Sequence, residues 1–162
     1  MATPTTLPAT FVSGDVLEAA QLNNLRGAFR IMQVVYASTT TSASSTSGTY
    51  ATTNLAATIT PSATSSKVLI LANVQITSNA AGQFTGLRIF NGTSAILTNN
   101  RALMQPAAGD MGSICSLVYL DSPNTTSAFT YTIQFARIAG AGTSVVQSNS
   151  EPSTIILCEV SA

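Results

Sequence analysis

The chain has 162 residues, of which 45% are hydrophobic and only 7% charged, with six basic residues balancing six acidic ones and no His. That length suits one domain that buries most of its apolar surface without a metal or disulfide staple, and the hydrophobicity excludes a disordered chain. The cations Arg26, Arg30, Lys67, Arg88, Arg101 and Arg137 are scattered and matched by acids, which argues against binding to a nucleic-acid backbone.

In chain order, Met1 to Pro8 lacks the basic start and continuous apolar core of a secretory signal. No window approaches 18 apolar residues, so no membrane insertion is expected. Residues 1–12 are rich in Thr and Pro, and Pro4 and Pro8 make them an extended arm. Residues 13–29 are the one convincing helix. Asp15 caps it, Glu18 completes a capping-box-like pair, and Leu22, Leu25 and Phe29 fall on one face at i, i+3 and i+7.

From Ile31 the pattern is β. Strands are expected over Ile31–Ala37, Tyr50–Thr60, Lys67–Thr77, Gln83–Phe90, Thr93–Thr98, Ser113–Leu120, Phe129–Ile138, Val145–Val146 and Thr154–Val160. Ser38–Gly48, almost all Ser and Thr, reads as a loop or weak edge strand. In the strongest strand Val68, Ile70, Ala72, Val74 and Ile76 share one side, and Leu69 and Leu71 suggest partial burial on the other. Asn91-Gly92 signals a two-residue hairpin, Asp121-Ser122-Pro123-Asn124 a turn, and Gly140-Ala141-Gly142 another. The fold class is therefore all-β: an antiparallel β-sandwich, jelly-roll-like, over residues 31–162, preceded by an extended arm and one short helix over residues 1–30.

Chemistry-bearing residues are few. Without His there is no Ser-His-Asp triad, no Cys-His pair and no His-based metal site. Asp15 and Glu18 suit helix capping, Asp110 and Asp121 suit turns, Glu151 a solvated loop, and Glu159 should face outward or pair with an Arg. These acids predict no carboxylate dyad and no cation cage, so no catalytic, metal-binding or cofactor-binding residue is expected, and no enzyme. Cys115 and Cys158 read as buried free thiols, with a disulfide between neighbouring strands open in an oxidising medium. Phe84, Phe90, Tyr119, Phe129, Tyr131 and Phe135 alternate along strands, which favours core packing over a stacking platform. The surface is unusual: a single domain normally carries about 25% charged residues, and a near-neutral one risks association unless much of it is buried in an oligomer or larger particle.

The segment Phe11-Val12-Ser13-Gly14-Asp15-Val16-Leu17-Glu18-Ala19-Ala20-Gln21-Leu22-Asn23-Asn24-Leu25 resembles the opening of many small virion structural proteins of tailed bacteriophages. Two further stretches resemble a β-sandwich of phage head and tail appendages: Ile59-Thr60-Pro61-Ser62-Ala63-Thr64-Ser65-Ser66-Lys67-Val68-Leu69-Ile70, and Leu120-Asp121-Ser122-Pro123-Asn124-Thr125-Thr126-Ser127 followed by Tyr131-Thr132-Ile133-Gln134. Thr154-Ile155-Ile156-Leu157-Cys158-Glu159-Val160 is similar to its last strand. Residues 78–112 match nothing in it.

The resemblance implies a non-enzymatic, homotrimeric virion protein made in the host bacterial cytoplasm, with the major capsid protein or other virion proteins as partners. The small size favours a capsid decoration (cement) or head-fibre protein. The alternative is a short tail fibre or tail-tip protein that binds a host surface receptor such as a glycan, and a small cellular lectin-like sandwich is a third reading. Val16, Leu17, Leu22, Leu25 and Phe29 are the candidate particle-anchoring or oligomer-contact residues. Burying Leu22, Leu25 and Phe29 is worth on the order of 5 kcal/mol, whether against a particle, beneath the chain's own sandwich or against sister helices.

Overall fold

The computed structural model describes residues 31–107 and 109–161. The arm and helix expected over residues 1–30 lie outside them. The described residues form ten antiparallel strands: β1 (Ile31–Thr39), β2 (Ala43–Ser45), β3 (Ala51–Ile59), β4 (Lys67–Ser78), β5 (Gln83–Phe90), β6 (Ala95–Gln105), β7 (Met111–Asp121), β8 (Phe129–Ala139), β9 (Ser144–Val146) and β10 (Ser153–Val160).

Six strands make sheet A and four make sheet B, the latter in the order β3-β8-β5-β6. In sheet A, β10 pairs with residues 67–73 of β4 and β9 pairs with residues 76–78 along the same edge, while β7 lines the other edge. Outside them β1 pairs with β10 and β2 with β9. The six strands thus occupy four rows, β1/β2, β10/β9, β4 and β7. Two four-row antiparallel sheets in the orders β1-β10-β4-β7 and β3-β8-β5-β6 make a jelly roll.

The inward faces obey the period of two. Val68, Ile70, Ala72, Val74 and Ile76 of β4 are all buried against Leu55 and Ile59 of β3, Tyr131, Ile133 and Phe135 of β8, and Ile155 and Leu157 of β10. Branched and aromatic residues dominate these positions because they fill a pleated, two-sided core. The Gly140-Ala141-Gly142 turn forms with both glycines at positive φ, 81° and 92°. A Cβ on Gly140 would sit 2.7 Å from Gln83 Cα, so the β8–β9 turn can close only on glycine.

Several expectations need correction. Asn91-Gly92 does not make a two-residue hairpin: residues 91–94 connect β5 to β6, with Asn91 N donating to Ser94 O at 3.0 Å and Asn91 Oδ1 accepting from Thr93 N and Ser94 N. The side chain supplies the turn's acceptor, so the chain takes the longer loop, and β6 runs on to Gln105 rather than ending near Thr98. Asp121 ends β7 instead of sitting in a turn, and its Oδ2 accepts from Tyr131 Oη at 2.7 Å, joining the two sheets. Burial and Asp121 together push the Tyr131 phenol far above its ordinary pKa. Cys115 and Cys158 are both free. They lie on β7 and β10, on opposite edges of β4, opposite Val74 and Leu69, so the geometry offers no disulfide.

Glu159 overturns its expectation most clearly. It does not face water, being 1% exposed, and it is held by serines rather than by an Arg of the described residues. Its Oε1 accepts from Ser62 N at 2.7 Å and Ser62 Oγ at 2.5 Å, pinning the β3–β4 loop onto β10. Burial pushes its pKa up, but hydrogen bonds from Ser62 and Ser66 outweigh it and hold the carboxyl below its usual value. With the folded pKa depressed, this stabilisation is present above the unfolded value, about 4.3, and is lost as pH falls through the folded value. Glu159→Gln is expected to destabilise the sandwich by about 1–3 kcal/mol at pH 7, a gap that narrows below about pH 4. Thermal melts of both proteins across pH 3–7 check this; a gap independent of pH would show that the charge is not the stabilising feature.

Candidate functional site

The ionisable side chains of the described residues are mostly absorbed into local structure. Arg88 Nε donates to Gln134 Oε1 at 2.6 Å, and its guanidinium lies 4.4 Å from the Tyr50 ring centroid and 5.6 Å from that of Phe90. Burial raises the Tyr50 pKa, with Arg88 opposing. Arg101 stacks 4.8 Å from the Phe84 centroid. Phe84 and Phe90 are therefore half-buried under arginines on the outer face of sheet B, not core residues, whereas Tyr131 and Phe135 are fully buried. Among the described residues no three His, Cys, Asp or Glu side chains group as metal ligands.

The outer face of sheet A is different. Register places Val34, Cys158, Leu69 and Leu120 in one row across the four strands. Tyr36, Ile156, Leu71 and Val118 form the next. The outer positions are open: Val34 is 59% exposed, Tyr36 62%, Val118 61% and Leu120 50%, and Ile31 and Met32 continue the patch at the start of β1. Among the described residues Lys67 is the only charged side chain on this half of the face.

One row further along, the chemistry changes. Ser38, Thr154, Asn73 and Ser116 align, and Ser116 Oγ donates to Asn73 Oδ1 at 2.6 Å. Beyond them a groove of about 590 Å³ is lined by residues that include Gln75, Thr77, Asn79, Asp110, Ser148 and Glu151. Gln75 holds its floor: Nε2 donates to Thr77 Oγ1 at 3.0 Å and Ser148 Oγ at 2.7 Å, and Oε1 accepts from Ser148 N at 2.8 Å. The wall beside it is backbone in the left-handed region, at Gln147 (φ 51°), Asn149 (55°) and Ser150 (60°).

Gln147 explains how that wall is held. With its amide oriented to satisfy the network, Nε2 donates to Thr41 O at 3.2 Å and Thr53 O at 3.1 Å, and Oε1 accepts from Ser153 Oγ at 2.8 Å. One buried amide thus bridges the break between β1 and β2, the irregular middle of β3 and the start of β10.

The sequence-derived contact residues Val16, Leu17, Leu22, Leu25 and Phe29 lie outside the described residues. The β4 alternation marks the apolar face only at Leu69 and Leu71. The available signal was in the edge strands: Ile31-Met32-Gln33-Val34-Val35-Tyr36 and Leu117-Val118-Tyr119-Leu120 carry apolar residues at both parities, more than one buried face requires.

No protein-family model and no curated protein matches the chain. Among solved structures it is similar to several of infectious bursal disease virus. The Gt strain structure shares 13% identity at a TM-score of 0.43, over 97% of this chain and 45% of that one. The VP2 subviral particle shares 12% at 0.45, over 80% and 40%. The Gx strain structure shares 13% at 0.42, over 80% and 38%. The chain spans less than half the length of each, and the jelly-roll assignment above rests on strand order alone.

The described residues from Ile31 onward share one hydrophobic core, so a chain truncated to residues 31–162 is expected to keep a β-type circular dichroism spectrum and a cooperative melt. It should also bind an apolar dye such as ANS, and Tyr36→Thr with Val118→Thr should cut that fluorescence several-fold. A truncated chain that unfolds would place the arm within the core.

Proposed function

We propose that this chain is a structural protein of a tailed-bacteriophage virion, a capsid decoration or head-fibre protein at the particle surface, with residues 1–30 as its attachment segment. The observation that carries the reading is the apolar half of the sheet A outer face. The largest apolar patch on a soluble protein is often a contact site, and a chain with 7% charged residues and zero net charge has no repulsion to keep such patches apart. A surface of this kind suits permanent burial in an assembly. The resemblance of Phe11–Leu25 and of the three sandwich stretches to phage virion proteins points to which assembly. The jelly roll fits the role, since it packs as a rigid block whose edges and faces serve as contacts.

The hydroxyl- and amide-lined groove around Gln75 favours a second reading, a short tail fibre or tail-tip protein. Its hydroxyl, amide and carboxylate groups suit a polyhydroxylated ligand such as a host surface glycan.

Mass spectrometry and immunogold labelling of purified particles separate the two readings. Label distributed over heads supports decoration or head fibre, label at the tail tip supports the alternative, and absence from particles overturns both. Light scattering on the soluble full chain is expected to report three chains. A single-chain mass at micromolar concentration would overturn the homotrimer.

A further inference from the structure

We propose that the outer face of sheet B is a binding site for an acidic polysaccharide, with Arg88 and Arg101 as the groups that take its carboxylates. The site is separate from the groove on sheet A, and it does not depend on where the protein sits in a particle.

The backbone is specialised at this place. Thr85 pairs with Leu103 and Leu87 with Asn99, so Asn100, Arg101 and Ala102 of β6 stand opposite Gly86 of β5 alone. A bulge of this kind re-aims the side chains it carries. Asn100 Oδ1 accepts from Tyr50 Oη at 2.8 Å, although Tyr50 precedes β3, at the opposite edge of the sheet. The Tyr50 side chain reaches over β5 at Gly86, where a Cβ would sit 2.5 Å from its Oη. Glycine inside a strand weakens it and marks a close approach; here it makes room for Tyr50.

These features hold two guanidiniums. Arg88 lies between the Tyr50 and Phe90 rings with its Nε bound to Gln134 Oε1. Arg101, carried by the bulge, lies over Phe84. Among the described residues no hydrogen bond uses the terminal amino groups of either arginine. Both therefore keep the forked edge that receives a carboxylate through two parallel bonds, and a guanidinium already held in place loses less freedom when it binds.

Charge and spacing select the ligand. Among the described residues the acids are Asp110, Asp121, Glu151 and Glu159, and none belongs to β3, β5, β6 or β8. The third cation of sheet B, Arg137, donates to Gly142 O at 3.2 Å. Two available cations without an acid among them complement a partner that carries anionic groups. Phe84 and Arg88 are four residues apart on β5, about 14 Å, so each guanidinium meets its own acid group, which calls for a polymer rather than one small anion. The ring faces that would stack on nucleic-acid bases are taken by the guanidiniums. Asn100, whose oxygen is committed to Tyr50, keeps its amide donors for sugar hydroxyls, and Thr98 stands exposed opposite Arg88.

The test is calorimetric titration of the purified full chain with oligogalacturonate at low ionic strength, with neutral dextran and a single-stranded DNA oligonucleotide as comparisons. Oligogalacturonate should bind, more weakly as salt is raised, and dextran should not. Arg88→Gln with Arg101→Gln should weaken binding at least about tenfold, and Arg88→Lys, which keeps the charge and loses the fork, should weaken it several-fold. Should the glutamine variant misfold because the rings lose their cover, Arg88→Met with Arg101→Met keeps apolar stems over them and should show the same loss. Failure to bind oligogalacturonate, binding that survives removal of both arginines, or DNA binding as tight as the glycan's and lost with the same variant overturns the proposal. A change in oligomeric mass in that variant, read by light scattering, would also overturn it and assign the face to a contact between copies.

Discussion

Every layer of this protein is registered on β4. It is the longest strand at 12 residues, and β10 and β9 line one edge while β7 lines the other. Its inward side chains bind the two sheets: Val68, Ile70, Val74 and Ile76 are fully buried, each contributing about 1.5–3 kcal/mol of transfer free energy. Its outward side chains run Leu69, Leu71, Asn73, Gln75, Thr77, from apolar to polar along a single strand. Pairing carries much of that change to the neighbours, with Thr154 and Ser116 beside Asn73, although Ile114 of β7, opposite Gln75, stays apolar and is 68% exposed. A slip of one residue would turn both patterns inside out, which the buried face forbids.

The polar residues of the interior sit where regular pairing fails. Gln75 and Ser148 tie β4 to the 3-10 turn Ser148–Ser150 that interrupts the β9/β10 row. Gln147 satisfies carbonyls at the break between β1 and β2. Ser78, Thr85 and Ser144 share hydroxyl bonds at 2.9 and 2.6 Å between the two sheets, and Gln83 Nε2 donates to Ser144 Oγ at 2.9 Å. Glu159 closes the β3–β4 loop at the opposite end. A buried amide or carboxylate is costly unless its partners are supplied; here strand breaks supply most of them, although Gln83 Oε1 and Gln105 Oε1 are buried without a hydrogen-bond partner among the described residues, and in return those breaks are held in one geometry. With 44 Ser and Thr among 162 residues, short hydroxyl side chains are available at nearly every such break.

The division of the outer face also organises the functional readings. The apolar half lies beside Ile31, the first described residue, and the groove lies at the far end of β4. Assembly and ligand contact can therefore occupy one sheet without competing for residues. On sheet B the outer face is closed differently, with Arg88 and Arg101 lying on Tyr50, Phe90 and Phe84. The cations shield aromatic area there that sheet A leaves open.

The period-two alternation of Lys67–Thr77 and Phe129–Ile138, the turn residues between strands and the absence of interleaved helices determined the all-β sandwich and most strand positions, because alternation and turn chemistry are local properties. The same local rules misplaced Glu159 and Asp121, whose partners Ser62 and Tyr131 are 97 and 10 residues away in sequence. They also could not distinguish an open apolar face from a covered one. Val34 and Val118 look like core residues in sequence; only the sheet order, which puts β1 and β7 on opposite edges and leaves their second faces without a covering layer among the described residues, makes them surface. Strand order depends on which apolar faces find each other across the sandwich, and that choice is made by packing rather than by any window of the chain.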